Sequence, residues 1–135
     1  MDGSFNLIAV VVAALSAFLV GGLWYSPLLF MKAWQQDAGV ETDADKQPHP
    51  AKVFGFAALF SLISCIVFSN FIVTGSGAVD GLLLGLQVGF GFVLCSFGIN
   101  YQFANRPMRL IAIDGGYHTA QFALFGLILG GWPWS

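Results

Sequence analysis

Apolar residues in this chain fall in long continuous runs, not in the stripes of a surface helix or the alternation of a half-buried strand. Four runs, at about 5–25, 52–73, 78–101 and 109–130, reach the roughly 20 residues that a helix needs to cross a hydrocarbon core of about 30 Å. The pattern predicts an all-α membrane protein whose residues 1–135 form a single domain, with four transmembrane helices packed as a small bundle. A cytoplasmic loop at 27–51 is expected to hold a short interfacial helix at 27–38, with Ser26 as its cap, Pro27 in its first position and Gly39 closing it. Leu28, Leu29, Phe30, Met31 and Trp34 beside Lys32, Gln35, Gln36 and Asp37 suit a segment lying in the interface. Residues 41–50, with Asp43, Asp45, Lys46 and two prolines, have the composition of a flexible linker.

Composition agrees with a bilayer setting: 57% of residues are hydrophobic and 9% charged, against roughly 25% charged in soluble domains. The first run has no Lys or Arg before it and is too long for the core of a signal peptide, so it reads as a retained helix. Lys32, Lys46 and Lys52 lie between the first and second runs, and Arg106 and Arg109 between the third and fourth. By the positive-inside rule these loops face the cytoplasm, and both termini and the Thr74-Gly75-Ser76-Gly77 turn face outward. Trp24 and Tyr25 at one end, and Trp132 and Trp134 at the other, suit the headgroup level.

Small residues recur at four-residue spacing as Ala9, Ala13, Ala17 and Gly21, as Ala57, Ser61, Cys65 and Ser69, and as Gly81, Gly85 and Gly89. Such stripes let helix backbones approach closely. They exceed what sequential antiparallel packing must use, so a homo-oligomer, a dimer or trimer, is expected. Cys65 and Cys95 are placed at different depths and read as small buried apolar side chains, not as a redox pair.

Polar residues within the runs are the candidate chemistry, because each needs a partner away from water. Ser16, Ser61, Gln87 and His118 fall at similar depth near the midplane, which suggests a hydrogen-bonded layer, although Gln87 points away from the Gly81/Gly85/Gly89 face. Asp114, His118 and Gln121 share one face of the fourth helix, with Tyr117 beside them. Ionisable residues inside a membrane are functional-site candidates by default. The plainer alternative is that Asp114 pairs with Arg106 or Arg109 to staple the loop while His118 bonds within the bundle. No third ligand accompanies Asp114 and His118, and His49 has no His or Cys near it in sequence, so no metal site is assigned.

Gly22-Leu23-Trp24-Tyr25-Ser26-Pro27 with Leu29-Phe30, Lys32 and Trp34, then Asn105-Arg106-Pro107 and Ile113-Asp114-Gly115-Gly116-Tyr117-His118, resemble the bacterial membrane family catalogued as domain of unknown function 1761. The resemblance spans nearly the whole chain and implies a bacterial inner-membrane protein with a four-helix span. It marks Trp24, Tyr25, Pro27, Lys32, Asn105, Arg106, Pro107, Asp114, Tyr117 and His118 as family-type positions, and implies no activity. Met31 stands where the family leads us to expect a glycine.

The chain has no phosphate loop, paired carboxylates, complete metal-ligand set or nucleophile with an evident base, so no enzyme, catalytic residue or cofactor is expected. Five basic residues in a membrane setting exclude nucleic acid as a natural partner. Two function classes remain. One is a subunit of a homo-oligomeric transporter or channel for protons, cations or a small polar solute, with Asp114, His118, Gln121, Tyr117 and Gln87 along its pathway. The other is an interaction or lipid-binding module whose cytoplasmic rim of Trp24, Tyr25, Lys32, Asn105, Arg106 and Arg109 receives anionic headgroups.

Overall fold

In the computed structural model, which describes residues 5–133, the regular elements among those residues are all helical. Helix α1 (Leu7–Trp24) begins where Asn6 Oδ1 accepts the Ala9 N–H at 3.0 Å, satisfying a backbone donor that the first turn leaves without a helical partner. Helix α2 (Met31–Ala38) closes on Gly39 at φ 68°, a left-handed stop that glycine adopts without penalty. A single 3₁₀ turn at Ala44–Lys46 leads to α3 (Pro50–Ser69), where Pro50 occupies the first turn and His49 Nδ1 accepts the Ala51 N–H. His49 is therefore a helix cap.

Among the described residues, three helical stretches, Leu7–Trp24, Pro50–Ser69 and Ala78–Phe103, are long and apolar enough to cross a membrane. The last is not one uniform helix: α4 (Ala78–Leu86) passes into a π-helical segment (Gln87–Leu94) and then α5 (Cys95–Phe103). Helix α6 (Met108–Gly130) has 23 residues, about 34 Å at 1.5 Å per residue. Its Arg109, Asp114, His118 and Gln121 lower its hydropathy and keep it outside that apolar set. Yet α6 is the centre of the bundle, packed against α1, α2, α3, α4, the π segment and α5, with buried residues from Leu110 to Gly130. The most polar of the long helices is the one its neighbours screen.

Glycine sets the approach of α4 to α6. A Cβ on Gly81 would collide with the Gly126 carbonyl, one on Gly85 with the Phe122 carbonyl, and one on Gly89 would come within 2.6 Å of Thr119 Cα. The connecting turn is bonded to the end of α6, through Gly75 N–H to Leu129 O and Gly77 N–H to Gly130 O, both 2.8 Å. On the other side, Ala9, Ala13 and Ala17 are fully covered. They sit in a core with Cys65 and Phe68 of α3 and Phe125 and Leu129 of α6.

Several expectations change accordingly. The stripes Ala9/Ala13/Ala17 and Gly81/Gly85/Gly89 are used inside one chain and so do not by themselves argue for an oligomer, whereas Ala57 of the remaining stripe is exposed. Ser61 Oγ donates to Ala14 O while His118 pairs with Gln121 and Gln87 is exposed, so the proposed polar layer does not form. The short helix starts at Met31, not Pro27: Leu29 and Met31 N–H both bond to Ser26 O in tight turns, and Ser26 Oγ donates back to Leu23 O. Cys65 is buried but Cys95 is exposed, and neither is in a disulfide. Of the outer aromatic pair, Trp132 lies on the half-buried surface, and Trp134 is outside the described residues.

Candidate functional site

The site forms where α1 ends, α5 ends and α6 begins. Asp114 is two turns into α6 and only 6% exposed. Its Oδ1 accepts from the Tyr25 hydroxyl at 2.7 Å and its Oδ2 from the Tyr101 hydroxyl at 2.6 Å. Both oxygens of the carboxylate are thus held by neutral donors, one from the C-terminal cap of α1 and one from α5. Short O–H···O contacts to a carboxylate are among the stronger hydrogen bonds of proteins.

Neither arginine reaches this carboxylate. Arg109 instead grips Asp37 with two nitrogens, Nε at 2.6 Å and Nη2 at 2.7 Å, and Arg106 Nη1 donates to the Asp37 backbone carbonyl. This pairing docks α2 onto the start of α6. The forked guanidinium bonds hold the Asp37 carboxyl below the usual carboxylate range. The expected loop staple exists, but its acid is Asp37 and not Asp114.

Trp24 and Tyr25, expected as headgroup-level anchors, turn inward. The Trp24 indole N–H donates to Ile113 O at 2.9 Å, and its ring meets Phe30 and Tyr117. Gly116 permits the indole's approach, with Trp24 Cζ2 3.1 Å from where a Cβ would stand. Tyr25 packs edge-on against Trp34 and Tyr117. Tyr117 spans back to α1, its hydroxyl donating to Ala17 O at 3.1 Å over the bare backbone of Gly21.

One turn deeper, His118 Nδ1 and Gln121 Oε1 are 2.6 Å apart, within hydrogen-bond distance. Phe97 stacks on the imidazole with centroids 5.3 Å apart and planes 15° apart, while Tyr117 meets its other flank at 4.9 Å. Gln121 is 4% exposed.

The structure therefore brings together Asp114, Tyr117, His118 and Gln121, adds Trp24 and Tyr25 from the predicted rim, and leaves Gln87 outside on the exposed face of the π segment. Lys32, Asn105, Arg106 and Arg109 are exposed around the end of the bundle. Tyr101 is the residue that sequence reasoning missed: it was read only as the end of an apolar run, and nothing in a regular helical period points it at Asp114. Among the described residues no group of three or more His, Cys, Asp or Glu side chains is placed to hold a metal ion.

No curated protein and no solved structure matches this chain. Residues 8–130 match the family described as Protein of unknown function (DUF1761), and with nearly its whole length covered the chain belongs to that family.

Proposed function

We propose that the chain is a bacterial inner-membrane protein that crosses the bilayer four times, with both termini outside, and that it moves protons through Asp114 as a subunit of a small homo-oligomeric transporter or channel. The observation that carries this reading is the pairing of a buried carboxylate with two exchangeable phenol protons and no cation. Buried charge in a membrane is costly, and a helix with a purely mechanical role does not require it. Tyr25, Asp114 and Tyr101 form a continuous hydrogen-bonded chain near the cytoplasmic end, and the rings of Tyr117 and His118 pack beside it. Close packing of the rings favours proton transfer over passage of a hydrated cation or solute.

The fourth crossing rests on the length of α6 and on its screening by the other helices. Association of copies now rests on Gln87, whose amide faces outward from an apolar span and needs a partner away from water. The alternative, a rim for anionic lipid headgroups, is less well supported because Arg109 is occupied by Asp37.

Proteoliposomes carrying an imposed potential and an internal pH indicator test the proposal. Wild-type protein acidifies the lumen faster than empty vesicles, and Asp114→Asn returns the rate to background while remaining folded. Wild-type protein with no flux above empty vesicles overturns the reading.

A further inference from the structure

The π-helical segment Gln87–Leu94 begins near the middle of an otherwise α-helical span, and at its end Cys95 N–H bonds to Phe90 O, five residues back. Runs of this kind are rare, and they recur at functional sites. Here the wide turns change which residues face α6. Up to the segment's first turn the contacts are Gly81, Gly85 and Gly89; from its last residue onward they are Leu94 against Gly115, Phe97 on His118 and Tyr101 on Asp114. A straight α-helix of about 3.6 residues per turn carried on from Gly89 returns to the same side about 7 and 11 residues later, at Ser96 and Asn100, whereas the contacts fall one position on, at Phe97 and Tyr101.

Without the one extra residue, these later contacts fall one position earlier. Val93, Ser96 and Asn100 then replace Leu94, Phe97 and Tyr101 on the α6 side. Those residues now lie together beside Phe97 along an open groove on the neighbouring face, and Ser96 and Asn100 are exposed. We propose that the π segment is a register switch: relaxing to an α-helix exchanges Tyr101 for Asn100 at Asp114 and Phe97 for Ser96 at His118, replacing an aromatic seal with polar side chains.

The exchange keeps Asp114 supplied with a donor, because the Asn100 amide N–H takes the place of the Tyr101 hydroxyl. It also removes the ring stacked on His118. Gly91 and Gly98 carry open space where a Cβ would be, so rotation of this stretch meets no side chain there. At the far end, Asn105 sits at φ 55°, a left-handed conformation that asparagine tolerates better than most residues and that places a pivot between α5 and α6.

This inference rests on Asp114 being the working group, and adds what opens and closes access to it. The test uses the full chain in lipid nanodiscs with Cys65→Ala and Cys95→Ser, spin-labelled through Phe103→Cys and Ala112→Cys. A rotation of one residue position carries a side chain at position 103 by roughly 8 Å around its helix. Tyr101→Phe removes the donor from the π register only, so the label distance shifts to a second value, and adding Asn100→Leu returns it to the wild-type value. Deleting Phe92 removes the extra residue, and the wild-type distance then persists even with Tyr101→Phe. An unchanged distance in folded Tyr101→Phe overturns the switch; should that variant fail to fold, an unchanged distance in Tyr101→Leu, which likewise offers Asp114 no donor in the π register, does so. A shifted distance with no proton flux in the wild type overturns the transport reading alone.

Discussion

Gly81 and Gly126 meet backbone to backbone: a Cβ on either would run into the carbonyl oxygen of the other. The contact is reciprocal and involves main chain on both sides, so no side-chain rotation relieves an added methyl. With Gly77 N–H bonded to Gly130 O at the same end, the α4–α6 pair is fixed in position before the polar site at the other end is reached.

Gly81→Ala and Gly126→Ala are therefore expected to destabilise the protein by about 1–3 kcal/mol, the usual range for overpacking. Gly98→Ala, where a Cβ meets nothing within 4 Å, is expected to be neutral or to stabilise by about 0.5–1 kcal/mol through helix propensity. Thermal unfolding in a mild detergent ranks the three. Gly85→Leu belongs with the first group: it should unfold the chain itself and not merely dissociate copies, since Gly85 faces Phe122 of the same chain. Equal melting of Gly81→Ala and Gly98→Ala would contradict the close approach.

Topology is tested by single cysteines in a Cys95→Ser background. Ser76→Cys, in the turn joined to the end of α6, should react with an impermeant thiol reagent in intact cells. Asp43→Cys, in the loop holding Lys32, Lys46 and Lys52, should react only after permeabilisation, as the distribution of Lys and Arg requires. The opposite pattern would invert the protein in the membrane.

What was legible in the sequence follows from which forces act locally. The spans at α1, α3 and Ala78–Phe103 appear as apolar runs because lipid solvates every face of a helix alike, and glycine at 81, 85 and 89 marks a close contact because only glycine allows it. The partner of each stripe was not legible, since a stripe records closeness and not whose backbone comes close. Arg106 or Arg109 is the alternative partner of Asp114 that nearness in sequence offers; the forked geometry of Arg109 with Asp37 depends on how α2 folds back across the bundle end. Tyr101 was invisible for a sharper reason. A regular helical period carried on from Gly89 directs Asn100, not Tyr101, toward α6, and the π segment that corrects this leaves no compositional mark.

The Asp37–Arg109 pair predicts how docking of α2 depends on pH. Arg109 lowers the folded-state pKa of Asp37, so the pair stabilises the folded form above the ordinary aspartate range and is lost as pH falls through the depressed value. Hydrogen-exchange protection of residues 31–38 should accordingly be lower in Asp37→Asn than in wild type at pH 7, and the difference should shrink as pH falls below the ordinary aspartate range. Equal protection of the two proteins at pH 7 would assign the docking to other contacts, such as Trp34 on Tyr25.

Asp114 is held by Tyr25 and Tyr101 from opposite sides, which makes the three residues one energetic unit. Tyr25→Phe removes one donor and leaves the carboxylate with the Tyr101 hydroxyl, at an expected cost of about 1–3 kcal/mol, while Tyr101→Phe costs less because Asn100 supplies a donor in its place. Asp114→Ala removes the acceptor of both and strands two half-buried hydroxyls, so its loss should exceed either single change. Asp114→Asn keeps one acceptor oxygen, and its amide can donate to whichever phenol turns its lone pair inward, so it should melt close to wild type. A double-mutant cycle joining Tyr25→Phe with Asp114→Ala should show coupling of about 0.5–3 kcal/mol, because the second change finds its partner already gone. Additive losses would mean that the Tyr25 and Asp114 side chains contribute independently, and the hydrogen-bonded chain proposed to carry protons would lose its first link.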